Sequence, residues 1–309
     1  MNHTICPCCK GSQAQAQYRI HRDPLLTISR CLSCKTVYLE NLPHSYNSHL
    51  YEYYSKDSGK SISQILSPQT YASYARVLQR ISRLTNLRTI LDVGCGKGEF
   101  LWAAQELGYK TEGLELSSDA VSIGQNLGLP VRHQSLFSDS LDGRSWDLIT
   151  LFEVIEHVSS PLEMLDRAAS LLNPGGIIYL TTPNYNSLDR RLLGTHWDVF
   201  HPEHLLYFSS STLSNHIRHR LPSLRILSVQ SNNISHQAIN LLLKPLASVI
   251  RSNQQGSSST QSLSPSVDLR TLSSSSPLLY FLKCRLNQLL SLAELGSTTI
   301  LIAQKVPSV

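Results

Sequence analysis

Three alternate glycines, flanked by acidic residues, form the stretch of this chain best suited to hold a ligand. Gly94, Gly96 and Gly98 follow an apolar run that contains Asp92. Glycines in such a turn let backbone N–H groups approach a ligand at the start of a helix. A dinucleotide site would need its third glycine one position later, where Glu99 stands. An acid before the first glycine suits a ligand with an ammonium group better than one with a pyrophosphate.

Two pairs of cysteines near the N-terminus predict a zinc site. Cys6 with Cys9, and Cys31 with Cys34, can each present two thiolates, and four thiolates complete a closed tetrahedral site. Cys8 is the surplus thiol. Because a closed site has no open position for catalysis, we expect a structural role. Recognition of a substrate or nucleic acid by this segment is the alternative.

A histidine-rich segment further along the chain is the best supply of a general base. Residues 196–204 contain three histidines and two acids. His201 and His204 are the candidate catalytic bases, since imidazole titrates near neutral pH. A second metal site, or hydrogen bonding within the loop, are the alternatives. His157, in contrast, is predicted to have a structural role at a helix cap.

The sequence around the glycines predicts the elements that would position them. Residues 89–93 are typical of a short buried strand, and residues 100–107 have helical spacing. A second strand is predicted at residues 110–116, which places Glu115 where an acid would meet a ribose. Its two oxygens can accept hydrogen bonds from both ribose hydroxyls.

Strands and helices continue to alternate beyond this point. Further strands are predicted at residues 131–133, 146–152 and 177–181, with a capping box at residues 160–163 and a turn at residues 173–176. This alternation is typical of a mostly parallel sheet with helices on both faces. The third strand is followed by Ser135, where an adenine edge could be bound, and the fourth ends in Phe152.

The pattern Asp-x-Gly-x-Gly-x-Gly at residues 92–98 resembles motif I of the class I S-adenosyl-L-methionine (SAM) methyltransferases. Residues 153–158 also resemble the segment after strand four in many small-molecule methyltransferases, and the resemblance covers about residues 70–230 plus the last strand. It implies a Rossmann-like α/β sheet of seven strands, the last antiparallel, with SAM across the ends of strands one, two and four. The cofactor-binding residues would then be Asp92, Gly94, Gly96, Gly98, Glu115, Ser135 and Phe152.

The cysteine segment resembles the zinc-binding segment of some bacterial methyltransferases, including sugar C-methyltransferases. Those sugar enzymes carry a further large C-terminal domain without a counterpart here, which argues against a sugar acceptor. The segment is also similar to that of some ribosomal RNA methyltransferases. However, no aromatic and basic tract accompanies it, and the Asn/Asp-Pro-Pro-Tyr/Phe tetrad of base N-methylation does not follow strand four. Nucleic acid is therefore not the expected partner.

Bulk composition limits the remaining possibilities. The 309 residues, 41% of them hydrophobic, suffice for one medium α/β domain and a small accessory unit. A net charge of +5 permits contact with nucleic acid or anionic lipid without demanding it. Neither a signal segment nor a spanning apolar run is found in the sequence, so we expect a cytoplasmic protein.

We divide the chain into three parts. A zinc-ribbon-like segment occupies residues 1–45, a linker residues 46–69, and a SAM-dependent methyltransferase domain residues 70–309. Between strands predicted at residues 225–230 and 298–303, a helical, Ser-rich insertion spans about residues 233–297. Its apolar helices leave three roles open, namely a roof over the acceptor pocket, a homodimer contact or peripheral membrane contact.

The expected function is transfer of a methyl group from SAM to an oxygen or carbon of a small-molecule acceptor, with zinc as a structural ion. An RNA-directed methyltransferase or RNA-binding protein that uses the zinc ribbon is one alternative. A non-catalytic scaffold that keeps the methyltransferase fold is the other. The acceptor itself is not specified by the sequence, because its pocket depends on loops.

Overall fold

The computed structural model describes residues 5–20, 25–40, 57, 59–235, 237–238, 241, 285 and 288–306. Most of the predicted insertion, and residues 46–56 of the predicted linker, lie outside this part of the chain.

The N-terminal segment forms a small antiparallel sheet. Its strands are β1 (Ala14–Ile20), β2 (Leu26–Cys31) and β3 (Val37–Leu39), each paired with the next. A fourth strand comes from much later in the chain, because Val37 and Tyr38 of β3 pair with Tyr207 and Leu206. The segment is therefore joined by strand pairing to the rest of the molecule.

The large sheet contains seven strands in the order β10-β11-β8-β7-β4-β5-β6. The strands from β4 to β8 pair in parallel, whereas β11 is antiparallel to both β8 and β10. This arrangement confirms the predicted mostly parallel sheet with an antiparallel last strand. In chain order the bounds are β4 Thr89–Val93, β5 Lys110–Glu115, β6 Val131–His133, β7 Trp146–Phe152, β8 Leu172–Pro183, β9 Leu206–Tyr207 (in the small sheet), β10 Leu224–Asn232 and β11 Thr298–Lys305.

Helices cover both faces of the large sheet. They are α1 Ile62–Ile65, α2 Pro68–Ile81, α3 Glu99–Glu106, α4 Ser118–Asn126, α5 Pro161–Ser170, α6 Leu188–Leu193 and α7 Ser210–Arg220. Alternate strand residues point into two apolar layers: Leu148 packs in a cluster with Phe100 of α3, and its neighbour Ile149 packs with Leu165 of α5 and Ile217 of α7. The sheet is thus buried on both sides, as its apolar strands predict.

Two local expectations were wrong. The predicted capping box at residues 160–163 does not form, because the Ser160 side chain makes no capping hydrogen bond and Pro161 alone marks the helix start. The predicted turn at residues 173–176 lies inside β8, which begins at Leu172. The pairing of β8 with β7 is irregular here, because β8 has more residues than β7 between two successive pairs. Gly175, within this irregularity, adopts a φ of 74°.

Among the described residues, no helix combines the length and apolar character needed to cross a membrane.

Candidate functional site

The loop of residues 94–98 between β4 and α3, called here the glycine loop, requires its glycines. Gly94, Gly96 and Gly98 have φ angles of 68°, 54° and 87°, a region that residues with a side chain rarely adopt. A Cβ on Gly94 would lie 2.7 Å from Val154 Cγ2, and one on Gly98 would lie 2.7 Å from Leu129 Cδ1. The loop therefore presents bare backbone at the carboxyl ends of the parallel strands.

Glu115 connects the glycine loop to the end of β5. The Gly96 N–H donates to its Oε2 at 2.9 Å, and the N–H groups of Leu116 and Ser117 donate to its Oε1 at 2.7 and 2.8 Å. A carboxylate has about four acceptor positions, so it can hold the loop and still accept from a ligand hydroxyl. The predicted ribose-binding acid thus lies next to the predicted glycines.

Asp92 is buried beneath the loop. Its Oδ1 accepts a hydrogen bond of 2.6 Å from the Thr150 hydroxyl, and only 3% of the residue is exposed. Burial raises the pKa of Asp92 to about 7, and the nearby charge of Glu115 adds to this shift. The negative potential of Asp92 and Glu115 suits a cationic ligand better than a phosphate.

Ser135 and Phe152 follow the ends of neighbouring strands. Ser135 is exposed after β6, and its hydroxyl accepts a hydrogen bond from the Phe137 N–H at 3.2 Å. Phe152 is half-buried at the end of β7, with ring centroids 4.9 Å from Phe100 and 5.5 Å from Tyr179. Both positions lie at the strand-end edge where the glycine loop is found, and their contact with a cofactor stays a prediction.

Two histidines predicted to have different roles lie against each other. The rings of His157 and His204 are 4.7 Å apart in an edge-to-face arrangement. His157 Nδ1 lies 2.9 Å from the carbonyl oxygen of Glu203, and His204 Nδ1 lies 2.7 Å from that of Val199. Since only a protonated Nδ1 can donate to a carbonyl, each ring has its Nε2 left as a lone-pair nitrogen in the neutral form.

Glu156 completes a group with these two rings, called here the Glu–His cluster (Glu156, His157 and His204). One ligand atom from each lies within 4.8 Å of the others. Thr182 donates a 3.0 Å hydrogen bond to Glu156 Oε2, whereas the buried Oε1 accepts no hydrogen bond from a protonated donor among the described residues. Burial, together with the neighbouring Glu153, raises the pKa of Glu156 well above its ordinary value.

His201 and His204 differ in their surroundings. Burial, with a contribution from His157, lowers the pKa of His204 to about 4, so its neutral form persists at neutral pH and is a weak base. His201 is exposed, accepts a long hydrogen bond of 3.4 Å from the Glu203 N–H, and stays outside the Glu–His cluster. The lone pair of His204 is therefore better suited to a metal ion than to a proton.

The four predicted zinc ligands meet at the end of the small sheet and are called here the cysteine cluster. Cys6 Sγ lies 3.6 Å from Cys34 Sγ, and Cys9 Sγ lies 3.5 Å from Cys31 Sγ. All four sulfur atoms lie within 4.8 Å of one another, and Cys8 is not among them. Such spacing fits four thiolates around one ion at about 2.3 Å each.

The cysteine cluster is connected to α7 by polar side chains that were not identified from the sequence. The Cys34 thiol lies 3.4 Å from the Thr36 hydroxyl, which lies 2.7 Å from Nε2 of the buried His216. Hydrogen bonds of this kind orient ligands in metal sites.

A family model described as a methyltransferase domain matches residues 67–220. Residues 67–220 of the chain are therefore similar to a methyltransferase domain. The matched residues include the glycine loop, Glu115 and the whole Glu–His cluster. The cysteine cluster lies outside the match.

Curated relatives match about a third of the chain. The "Ubiquinone biosynthesis O-methyltransferase" of Burkholderia multivorans is 31% identical over 103 residues, which are 31% of this chain and 44% of that protein. The protein of the same name from Paraburkholderia xenovorans is 29% identical over 106 residues, 32% of this chain and 46% of that protein. The chain thus spans less than half the length of these relatives.

Solved structures resemble the chain more broadly at lower identity. A SAM-dependent methyltransferase from Archaeoglobus fulgidus is 17% identical with a TM-score of 0.47, over 83% of this chain and 100% of that one. The plantazolicin methyltransferase BamL, in complex with a triazolic desmethylPZN analog and SAH, is 14% identical with a TM-score of 0.49, over 83% of this chain and 89% of that one.

Sequence reasoning found one member of the Glu–His cluster and missed its assembly. The sequence predicts His204 as a base and His157 as part of a helix cap, and it indicates no role for Glu156. The sequence does contain one indication of this cluster, since Glu156 and His157 are adjacent and follow shortly after β7. Without the fold, nothing placed this pair beside a histidine some distance along the chain.

Proposed function

We propose that this protein is a SAM-dependent methyltransferase that transfers a methyl group to an oxygen or carbon of a small-molecule acceptor. The observation that carries the proposal is the bond between Glu115 and the Gly96 N–H, which puts a carboxylate and bare backbone at one strand-end edge. The relatives' name, ubiquinone biosynthesis O-methyltransferase, supports oxygen as the accepting atom.

The glycine loop and its acids fit the cofactor. SAM, when bound, supplies a methyl group activated by a positively charged sulfur. Gly94, Gly96 and Gly98 would admit its amino-acid end close to the backbone, and Glu115 would accept hydrogen bonds from its ribose hydroxyls. Asp92 would stabilise its ammonium group through the local negative potential. Ser135 and Phe152 would lie along its adenosine part.

The acceptor would lie beside the Glu–His cluster. During transfer to a hydroxyl, the acceptor oxygen forms a bond to the methyl carbon as the carbon–sulfur bond breaks, and the hydroxyl proton must leave. His201 would take that proton, and its exposure, together with the ring-centroid distance of 6.2 Å to His204, supports this role.

The Glu–His cluster is also suited to hold a divalent cation. Its two imidazoles each have one nitrogen fixed by a backbone carbonyl, and, within the described part of the chain, one buried oxygen of its carboxylate accepts no hydrogen bond. Glutamate and histidine are frequent ligands of zinc and other transition metals. Such an ion, when bound, would lower the pKa of an acceptor hydroxyl. In this arrangement His204 acts as a ligand and His201 as the base.

The cysteine cluster would bind a structural zinc ion through Cys6, Cys9, Cys31 and Cys34. We retain the zinc-ribbon-like segment at residues 1–45, the linker at 46–69 and the methyltransferase domain at 70–309 with its insertion at about 233–297. The pairing of β3 with β9 supports a structural role for the segment over RNA recognition. A cytoplasmic location belongs to the same proposal. The insertion would serve as a roof over the acceptor pocket or as a homodimer contact, with peripheral membrane contact as the alternative.

Calorimetric titration with SAM and with S-adenosylhomocysteine (SAH) tests this function. We expect micromolar binding of both by the zinc-replete protein. Glu115→Ala should weaken binding about tenfold to a hundredfold, because it removes charge-assisted hydrogen bonds. Glu106→Ala is the matched control, since Glu106 is exposed at the end of α3. If the protein bound neither SAM nor SAH, the proposed function would be refuted. If Glu115→Ala left both affinities unchanged, the proposed cofactor site would be refuted.

A further inference from the structure

A cavity of about 240 Å³ lies at the carboxyl ends of β7 and β8, between these strands and the segment around α6. Its wall includes apolar side chains as well as three acids. The lining residues used below are Glu153, Asp189, Leu193, Trp197, Asp198 and Val199. We call it the acidic cavity. The Val199 carbonyl also accepts the hydrogen bond of His204, so the acidic cavity adjoins the Glu–His cluster.

Asp189 is a buried acid with unused hydrogen-bonding capacity. Only 2% of the residue is exposed. Its Oδ2 accepts from the Ser235 N–H at 2.9 Å and from the Ser297 hydroxyl at 2.6 Å, and these bonds fix the acid at the cavity wall. Its Oδ1 is buried and has no partner among the described residues. A buried oxygen of this kind is costly unless something binds to it.

Glu153 and Asp198 add two further carboxyl groups to the wall. Glu153 directly follows β7 with a φ of 53°, a strained conformation for a residue with a side chain. Asp198 is exposed and accepts one hydrogen bond of 2.7 Å from Gln237. Among the described residues, no Lys, Arg or His lines the cavity or forms an ion pair with any of these three acids. Burial raises the pKa of Glu153, so the negative charge of the cavity wall is assigned to Asp189 and Asp198, and no cation lies opposite them among the described residues.

The positions of the acids favour an organic cation over a metal ion. A metal ion needs its ligand atoms close to one point, and the described residues contain two groups of that kind, the cysteine cluster and the Glu–His cluster. Glu153, Asp189 and Asp198 belong to neither. Acids distributed around an apolar wall with Leu193 and Trp197 instead fit a molecule with both a charged and an apolar part.

We propose that the methyl acceptor carries a protonated amine, which the acidic cavity binds as a cation while the accepting atom lies at the Glu–His cluster. This inference rests on the proposed methyl-transfer function. A protonated amine has no lone pair to attack a methyl group, so it is a binding group and the acceptor reacts through an oxygen or carbon. The acceptor class is therefore a small amine with a separate nucleophilic position.

The test compares two probes that differ in charge and little in shape, 2-phenylethylamine and 2-phenylethanol. Each is titrated calorimetrically into the full-length, zinc-replete protein at neutral pH, with and without SAH. We expect the amine to bind about tenfold or more tightly than the alcohol, as a charge-assisted hydrogen bond to a buried carboxylate implies. Asp189→Asn should reduce that preference about tenfold, and Asp198→Asn should reduce it less.

Asp166→Asn is the matched control, because Asp166 is an exposed acid on α5 that does not line the cavity. Should Asp189→Asn fail to fold, Asp198→Asn at the exposed position carries the test. Equal binding of amine and alcohol, binding of neither, or a preference that Asp166→Asn lowers as much as the cavity variants would overturn the inference. SAH binding by the parent protein is measured separately. If the parent protein does not bind SAH, the methyl-transfer proposal is refuted, while the amine titration still decides whether the acidic cavity binds cations.

Discussion

The proposed cofactor side and the proposed acceptor side of this molecule are built in different ways. On the cofactor side, Asp92, the glycine loop and Glu115 belong to consecutive elements from β4 to β5, and one hydrogen bond joins the loop to the acid. On the acceptor side, the Glu–His cluster combines a turn after β7 with a loop before β9. The first can be assembled by local structure, whereas the second depends on tertiary contacts.

Backbone hydrogen bonds extend the acceptor side into the small sheet. The Leu205 N–H donates to the Glu156 carbonyl at 2.8 Å, and the Leu39 N–H of β3 donates to the Leu205 carbonyl at 2.9 Å. The cysteine cluster and the Glu–His cluster are thus held by one run of hydrogen-bonded backbone. Changes in either cluster should affect the acceptor side and leave cofactor affinity nearly unchanged.

The largest expected effect is the loss of a bound metal ion. If both clusters hold an ion, the protein should contain two, and Glu156→Gln or His204→Ala should reduce this to one. The glutamine amide of Glu156→Gln cannot supply an anionic ligand, and His204→Ala removes the ring nitrogen that would bind the ion. Elemental analysis of dialysed protein measures the count, and SAH titration should show affinity within about twofold of the parent. His201→Ala is the control and should retain both ions.

A single ion in the parent protein would contradict this assignment of the Glu–His cluster. A variant that loses SAH binding together with the ion would show that the two sides are not independent.

Loss of the proposed structural zinc ion should have the next largest effect. Cys31→Ser removes a thiolate, so we expect the cysteine cluster to release its ion and the small sheet to lose much of its stability. Hydrogen exchange should then accelerate in β3 and β9, while amides of β4 and β5 stay protected. Cys8→Ser is the matched control, because Cys8 is buried nearby but is not part of the cysteine cluster. Unchanged exchange in β9 would disprove the coupling.

The same contrast explains what could be predicted from the sequence. The succession of strands along the chain and the glycine loop follow from local apolar runs and turn residues. The cysteine pairs follow from their spacing. The pairing of β3 with Leu206 and Tyr207 could not be predicted, since neither short strand has a pattern that specifies its partner. The Glu–His cluster was missed for that reason, because the same fold brings residue 204 to residue 157. Burial of Asp189 at a cavity wall also had no sequence signal.

On the cofactor side, Asp92 should make stability depend on pH. Its pKa is raised to about 7 in the folded protein, from an ordinary value of 3.8. Between these values the folded chain retains a proton that the unfolded chain has released, so the free energy of unfolding falls as pH rises, by at most about 1.4 kcal/mol per pH unit. Asp92→Asn removes this titration while its side-chain oxygen can still accept from Thr150.

Urea unfolding without cofactor at pH 4 to 8 measures the effect. The stability of Asp92→Asn relative to the parent should increase with pH and level off above about 7. Asp166→Asn, at an exposed position on α5, should show no such trend. A difference that stays constant from pH 4 to 8 would mean that Asp92 titrates normally.

The smallest expected effect is a difference in the free energy of unfolding between two glycine variants. It distinguishes the cost of backbone strain from the cost of close contact in the glycine loop. Gly98 and Gly108 have nearly equal φ angles, 87° and 86°, but a Cβ would lie 2.7 Å from Leu129 Cδ1 at Gly98 and would meet nothing within 4 Å at Gly108. Gly108→Ala should therefore lower the free energy of unfolding by about 1–2 kcal/mol through strain alone. Gly98→Ala should lower it by about 1 kcal/mol more, because Leu129 must also move. Urea unfolding measures both, and Gly98→Ala should also weaken SAH binding. Equal costs, with SAH affinity retained in both variants, would show that the close approach at Gly98 serves neither packing nor the cofactor.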